Sequence, residues 1–250
     1  MRVFFYLVVF LFSCCQEKKT LPESTGLFSE ILFVVDNALW DKEVSQLVYQ
    51  VFSSSIEGVN QKEPEYNVLH IDPSQFKSFL KTHKNIVFIE ETVDDASIKN
   101  KWAKKQMVFQ LNWRKDTVGF LSKCRKIKLI FDVNEMRFLR QYNFKDSNKE
   151  IEKKIKSRFN IDVVMPANYV VVKDSGNIFW ATYNPENIEE IKHIIFYSFT
   201  PKEMDFKKEI LSNTDSVFSN YLLGVRKNSF VKIEQLYVPS FSDNIFRGLW

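Results

Sequence analysis

Six glycines in 250 residues, each standing alone, constrain this chain more than any motif it carries. Gly26, Gly58, Gly119, Gly176, Gly224 and Gly248 never cluster, so no glycine-rich turn can bring successive backbone amides against a phosphate. A Walker loop, a dinucleotide fingerprint and the strand-to-helix turn of a serine hydrolase are thereby excluded. Phenylalanine, by contrast, occurs 24 times, and 45% of residues are apolar against 26% charged. That balance excludes a disordered chain and supplies material for a sizeable core.

Periodicity divides the body into two kinds of segment. Ser29 to Asp36 (SEILFVVD) reads as a buried strand. Trp40, Val44, Leu47, Val48, Val51 and Phe52 then fall at helical spacing over 38–53, with Asp36 or Asn37 as the cap. Asp72, Pro73 and Gln75 predict the start of a second helix with Phe76, Phe79 and Leu80 turned inward. Residues 85–91 and 106–113 read as strands that pair. Phe120, Cys124, Ile127, Phe131 and Phe138 predict one long helix over 114–142, and Ser147 with Glu150 caps a short basic helix carrying Ile151, Ile155 and Phe159. Beyond it, strands are predicted at 161–165, 169–172, 178–182 and 193–199, a helix at 202–222, and strands at 230–238 and 244–250. The expected fold class is α/β to α+β: a small sheet covered by helices over 27–158, then a strand-rich α+β unit over 159–250.

Ahead of the body, residues 1–13 read as a bacterial lipoprotein signal. Arg2 precedes an unbroken apolar run from Val3 to Phe12, too short for a bilayer that needs about 20 apolar residues. Leu11 and Ser13 place an aliphatic and a small residue where a lipidated cysteine requires them, which selects Cys14 for lipid attachment over Cys15. An ordinary apolar leader is the alternative. Acyl chains contribute roughly 0.8 kcal/mol of membrane affinity per buried methylene, so the expected place of work is the bacterial cell envelope, at its inner or outer membrane. Residues 14–26 follow as a polar tether; Gln16 to Gly26 (QEKKTLPESTG) should stay solvated and at ~3.3 Å per residue could reach roughly 35 Å.

Chemistry is sparse. The net charge of +4 is a weak excess for this length and gives no nucleic-acid prior. Basic residues concentrate at Lys99, Lys101, Lys104 and Lys105, at Arg114 and Lys115, and at Lys123, Arg125, Lys126 and Lys128. They read either as a solvated face or as contacts to anionic headgroups. His70, His83 and His193 are far apart, and no zinc-ligand spacing occurs. Cys124 sits in the helical stripe, which argues for core over reactivity, although a bridge to Cys15 is conceivable in an oxidising compartment. Glu90, Glu91, Asp94 and Asp95 could act as paired carboxylates or hold a hard cation, or could be a solvated strand end. No catalytic residue, metal ligand or cofactor site is predicted. The preferred reading is a membrane-anchored binding or assembly module whose partners are the bilayer and an envelope protein; the alternative is a hydrolase or metal-dependent enzyme. Trp40, Trp102, Trp113, Trp180 and Trp250 on one face would mark an interface, whereas a deep cleft holding Glu90, Asp94 or a histidine would favour the enzyme.

Several segments resemble a bacterial lipoprotein family known as domain of unknown function 4837. They include Leu21-Pro22-Glu23-Ser24, the Ile31 to Asp36 strand with Leu39-Trp40, and Gln61-Lys62-Glu63-Pro64. Phe159 to Met165 with Pro166 and Tyr169, Phe179-Trp180, Asp215-Ser216-Val217 and Arg247-Gly248-Leu249-Trp250 complete the resemblance, which spans nearly the whole chain. It implies location and architecture, with no assigned activity. It also implies further strands and a helix beyond Trp250, so a truncated chain is expected. The second unit is faintly similar to the single-sheet fold of the PsbP and Mog1 proteins, a fold analogy only. Cys14→Ala is expected to abolish incorporation of labelled fatty acid and membrane fractionation, and Cys15→Ala to leave both intact; label entering the Cys14→Ala protein would place the lipid elsewhere.

Overall fold

The computed structural model describes residues 20–202, 205–242 and 244–250. The leader, Cys14, Cys15 and Met204 lie outside the described residues. Among those described, no helix is long and apolar enough to cross a membrane.

The first unit is built on a five-stranded sheet. Its strands are β1 (Glu30–Val35), β2 (Asn67–Ile71), β3 (Asn85–Glu90), β4 (Ala96–Lys99) and β5 (Met107–Asn112), in the order β2-β1-β3-β5-β4. β2, β1, β3 and β5 run parallel and β4 closes the edge antiparallel to β5. Parallel strands covered on both faces need apolar residues at every position, which is why β1 reads ILFVV without alternation. Ile31, Phe33 and Val35 face one core layer, Leu32 and Val34 the other.

One layer is α1 (Asn37–Leu39), a π-helical turn Trp40–Val44, α2 (Ser45–Phe52) and the 29-residue α3 (Thr117–Lys145). Asp36 caps the first by accepting from Ala38 N at 2.9 Å. Phe120, Cys124, Ile127 and Phe131 of α3 bury their side chains against Val87, Ile89, Phe109 and Leu111. The expected helix after Asp72 is not one helix but two 3-10 turns, Pro73–Gln75 and Ser78–Thr82. Ser78 adopts φ +40°, which stops a right-handed helix from continuing. Phe76 and Leu80 still cover the second face with Trp102, but Phe79 is 75% exposed.

The second unit has an antiparallel meander of β6 (Val170–Ser175), β7 (Ile178–Tyr183) and β8 (Lys192–Tyr197). α4 (Lys149–Phe159) buries Ile151 and Ile155 against Met165, Phe179 and Ala181. Asn148, not Ser147, caps α4, accepting from Ile151 N at 3.1 Å. α5 (Phe206–Tyr221) follows, and a short hairpin of β9 (Ser240–Ser242) and β10 (Ile245–Arg247) pairs Phe241 with Phe246. The architecture is mixed α+β, with an N-terminal sheet and a strand-rich second part.

Two expected strands do not form, and the hydrogen bonds explain why. Around 161–165, Met165 N donates to Glu152 Oε1 and Met165 O accepts from Asn148 N, so its backbone is satisfied by α4. Around 230–238, Val231 N donates to Leu222 O and Ile233 N to Asp215 Oδ1. The packing of α3 yields a stability test: Phe131→Ala, in a fully buried site, should cost about 3–5 kcal/mol. Met136→Ala, 67% exposed on the same helix, should stay within about 0.5 kcal/mol, both read from urea denaturation midpoints.

Candidate functional site

The amino ends of β3 and β5, the last residue of β4 and the second half of α3 enclose a cleft of about 210 Å³. Asn85, Gln106 and Glu135 of its lining belong to a set of buried and nearly buried polar groups that satisfy one another. His83 Nε2 donates to Glu30 Oε1 at 2.9 Å, and Asn85 Nδ2 donates to Glu30 O at 3.1 Å and to Glu135 Oε1 at 2.9 Å. Gln106 Nε2 donates to Lys81 O at 2.6 Å and His83 O at 2.7 Å, while its Oε1 accepts from Trp102 N. Unpaired, any of these groups would cost about 1–3 kcal/mol, so the network fixes how the loops entering β3 and β5 meet. Burial alone would raise the Glu30 pKa, but the bonds from His83, Leu27 N and Asn67, together with the His83 charge, outweigh it and lower the value.

Charge is arranged unequally across the cleft. Lys84 Nζ lies 2.8 Å from Glu135 Oε1 with both side chains nearly buried, so its charge is spent internally. At the mouth, Lys99, Lys105 and Arg137 form no ion pair among the described residues. Lys105 Nζ instead sits 4.7 Å over the Phe138 ring. Asn100, Asn134 and Gln141 add amide groups to the lining. Fixed cations beside neutral donors suit an anionic group such as a carboxylate or phosphate. Two adjoining hollows continue the surface along α3, one past Arg140 and Lys145, the other past Leu129 and Val133.

The segment expected as a solvated tether reaches this cleft. Pro22 O accepts from Lys104 N at 2.8 Å, Glu23 pairs with Lys104 at 3.1 Å, and Thr25 N donates to Thr82 O while Thr25 O accepts from Lys84 N. Ser24 lines the cleft itself. Residues 22–25 are therefore fastened to the body by backbone bonds, although Pro22, Glu23 and Thr25 are exposed. A polar composition concealed this, because the bonds involve main-chain atoms that any sequence supplies.

The other residues singled out from sequence lie apart from the cleft. Asp95 accepts from Asn112 N at 2.8 Å and pairs with Lys123 at 2.7 Å; burial raises its pKa, but these bonds and the charges of Lys123 and Arg114 lower it. Glu91 lies 3.7 Å from Lys115. Among the described residues no three of His, Cys, Asp and Glu come together to hold a metal ion. His70 stacks on Trp40 at 4.3 Å, His83 is bonded to Glu30 in the polar network behind the cleft, and His193 accepts from Trp180 Nε1. Cys124 is fully buried in the core, and that burial pushes its thiol up to about 12. The five tryptophans do not share a face: Trp40 and Trp113 are in the first core, Trp102 packs on the opposite side of the sheet, Trp180 lies in the second sheet and Trp250 meets Phe218. Sequence reading missed Arg137, Arg140 and Glu135. Their signal was an i, i+3 arginine pair off the buried stripe of α3.

Comparison with known families matches two different parts of the chain. Residues 148–249 match the model of a domain of unknown function, DUF4837. Residues 24–144 match a different one, the domain of unknown function DUF8532. The resemblance expected over nearly the whole chain is thus carried by its second part, and the first part is similar to another family. The two matches meet between α3 and α4, where the first core ends and the second begins. No curated protein and no solved structure matches the chain.

Glu30, Asp95 and Glu152 all have pKa values lowered by folding. A carboxylate with a depressed folded pKa stabilises above its unfolded value and loses that contribution as pH falls through the folded one. Unfolding free energy should therefore decline as pH drops below the ordinary values of 4.5 and 3.8. Glu30→Gln should flatten that slope in a pH series of denaturant melts, and an unchanged slope would show that Glu30 is not coupled to folding.

Proposed function

We propose that this chain is a lipid-anchored binding module of the bacterial cell envelope, held at the membrane through acylated Cys14, with the basic cleft receiving an anionic group of a partner. The observation that carries this reading is the fastening of Pro22–Thr25 to the rim of the cleft. It puts Ser24 on the same side as Lys105 and Arg137. Between Cys14 and Pro22 the chain spans at most about 26 Å, at ~3.3 Å per residue. An anchor so placed would keep the cleft close to the headgroups and within reach of other envelope proteins.

The chemistry of the cleft supports binding over turnover. It presents cations and amides, and its carboxylate, Glu135, is engaged by Lys84 and Asn85. Glu135 is thus not placed as a free general base. The partner is an envelope protein with an exposed acidic group. A photoreactive amino acid in place of Gln141, on the rim, should yield a discrete crosslinked adduct in intact envelopes. Lys105→Glu with Arg137→Glu should remove it; an adduct that persists unchanged in the charge-reversed protein would sink the cleft as the binding surface.

A further inference from the structure

The second half of α3 carries an outward surface that the core does not use and that meets the cleft at Arg137. At 100° per residue its outward arc collects Leu129, Ile130, Val133, Met136 and Phe144. Leu129 is 64%, Val133 57%, Met136 67% and Phe144 59% exposed. Lys126, Arg137 and Arg140 lie on the same arc and form no ion pair among the described residues. The acids of this half-helix are turned away and engaged: Asp132 accepts from Tyr66 Oη at 2.7 Å, and Glu135 pairs with Lys84. The arc is therefore apolar and cationic, with no carboxylate on it.

We propose that this face of α3 lies against an anionic lipid surface. Apolar residues bracketed by Lys and Arg are the pattern of a helix lying in the interface plane, its apolar side sunk among the acyl boundary and its cations at the headgroups. A second copy of this chain is the poorer occupant, because a two-fold contact would bring Lys126, Arg137 and Arg140 against their own likes with no acid to offset them. Arg137 belongs both to this face and to the cleft mouth, so a docked α3 would also open the cleft toward the headgroups. The inference rests on the membrane-anchored reading above and specifies which surface meets the membrane.

The test uses the full chain with an environment-sensitive fluorescent amino acid in place of Val133. It is mixed with vesicles of phosphatidylcholine alone or of phosphatidylcholine and phosphatidylglycerol in equal parts. The expected result is a blue shift that requires phosphatidylglycerol and is reversed by salt. Arg137→Gln with Arg140→Gln should weaken this lipid-dependent shift about thirtyfold, the equivalent of about 1 kcal/mol for each cation removed. An unshifted label with phosphatidylglycerol vesicles overturns the proposal, even if the protein stays attached to phosphatidylcholine through its leader. A shift with phosphatidylglycerol but no attachment to phosphatidylcholine supports the face and counts against the anchor alone. A shift that grows with protein concentration in the absence of lipid makes the face a contact between copies, and overturns the proposal.

Discussion

Everything in the first unit depends on β1 being buried on both faces. Ile31, Phe33 and Val35 meet α1, α2 and α3, while Leu32 and Val34 meet Phe76, Leu80 and Ile86. A strand that pairs in parallel on both sides cannot connect to its neighbours by hairpins; each connection must cross over a face and cover it. The helical stretch after Asp36 covers one face and the two 3-10 turns cover the other. Loss of apolar area on either face of β1 would expose the centre of the sheet, so this strand tolerates no polar substitution between Ile31 and Val35.

The same burial creates the cleft. Parallel strands put all their amino ends at one edge, where the loops entering β3 and β5 must crowd together beneath α3. Their polar groups are largely withdrawn from water, and Glu30, His83, Asn85, Gln106 and Glu135 form one hydrogen-bonded set. Lys84 is consumed in that settlement, and the cations further out are left facing solvent. An arrangement required for stability thus leaves a surplus of positive charge at its rim. The fastened segment Pro22–Thr25 lies against this same basic side.

Much of the fold was legible in the sequence wherever burial imposed a period. β1 and β3 were readable as unbroken apolar runs of strand length, and the inward stripe of α3 and the apolar side of α4 because a buried helix face repeats at 3.6 residues. β4 was not: Ala96–Lys99 is exposed throughout and is a strand only because β5 offers it an edge. β2 was missed because Asn67 and His70 interrupt its apolar residues at the border of the sheet. The cleft was half legible. Lys99 and Lys105 stood out as basic residues, but Lys104, Lys115, Lys123 and Lys128 looked the same and turn out to be paired with Glu23, Glu91, Asp95 and Glu65.

By itself the sequence determined which side chains had to be inside. It also excluded the glycine-dependent phosphate loops. Only the tertiary structure decided which charges remain unpaired, because partners such as Lys84 and Glu135 are 51 residues apart and meet only when α3 crosses the amino end of β3. Apolar periodicity is a local property, readable within one element. Electrostatic pairing is a property of places where distant elements cross, and the function proposed for this protein depends on which cations those crossings leave exposed.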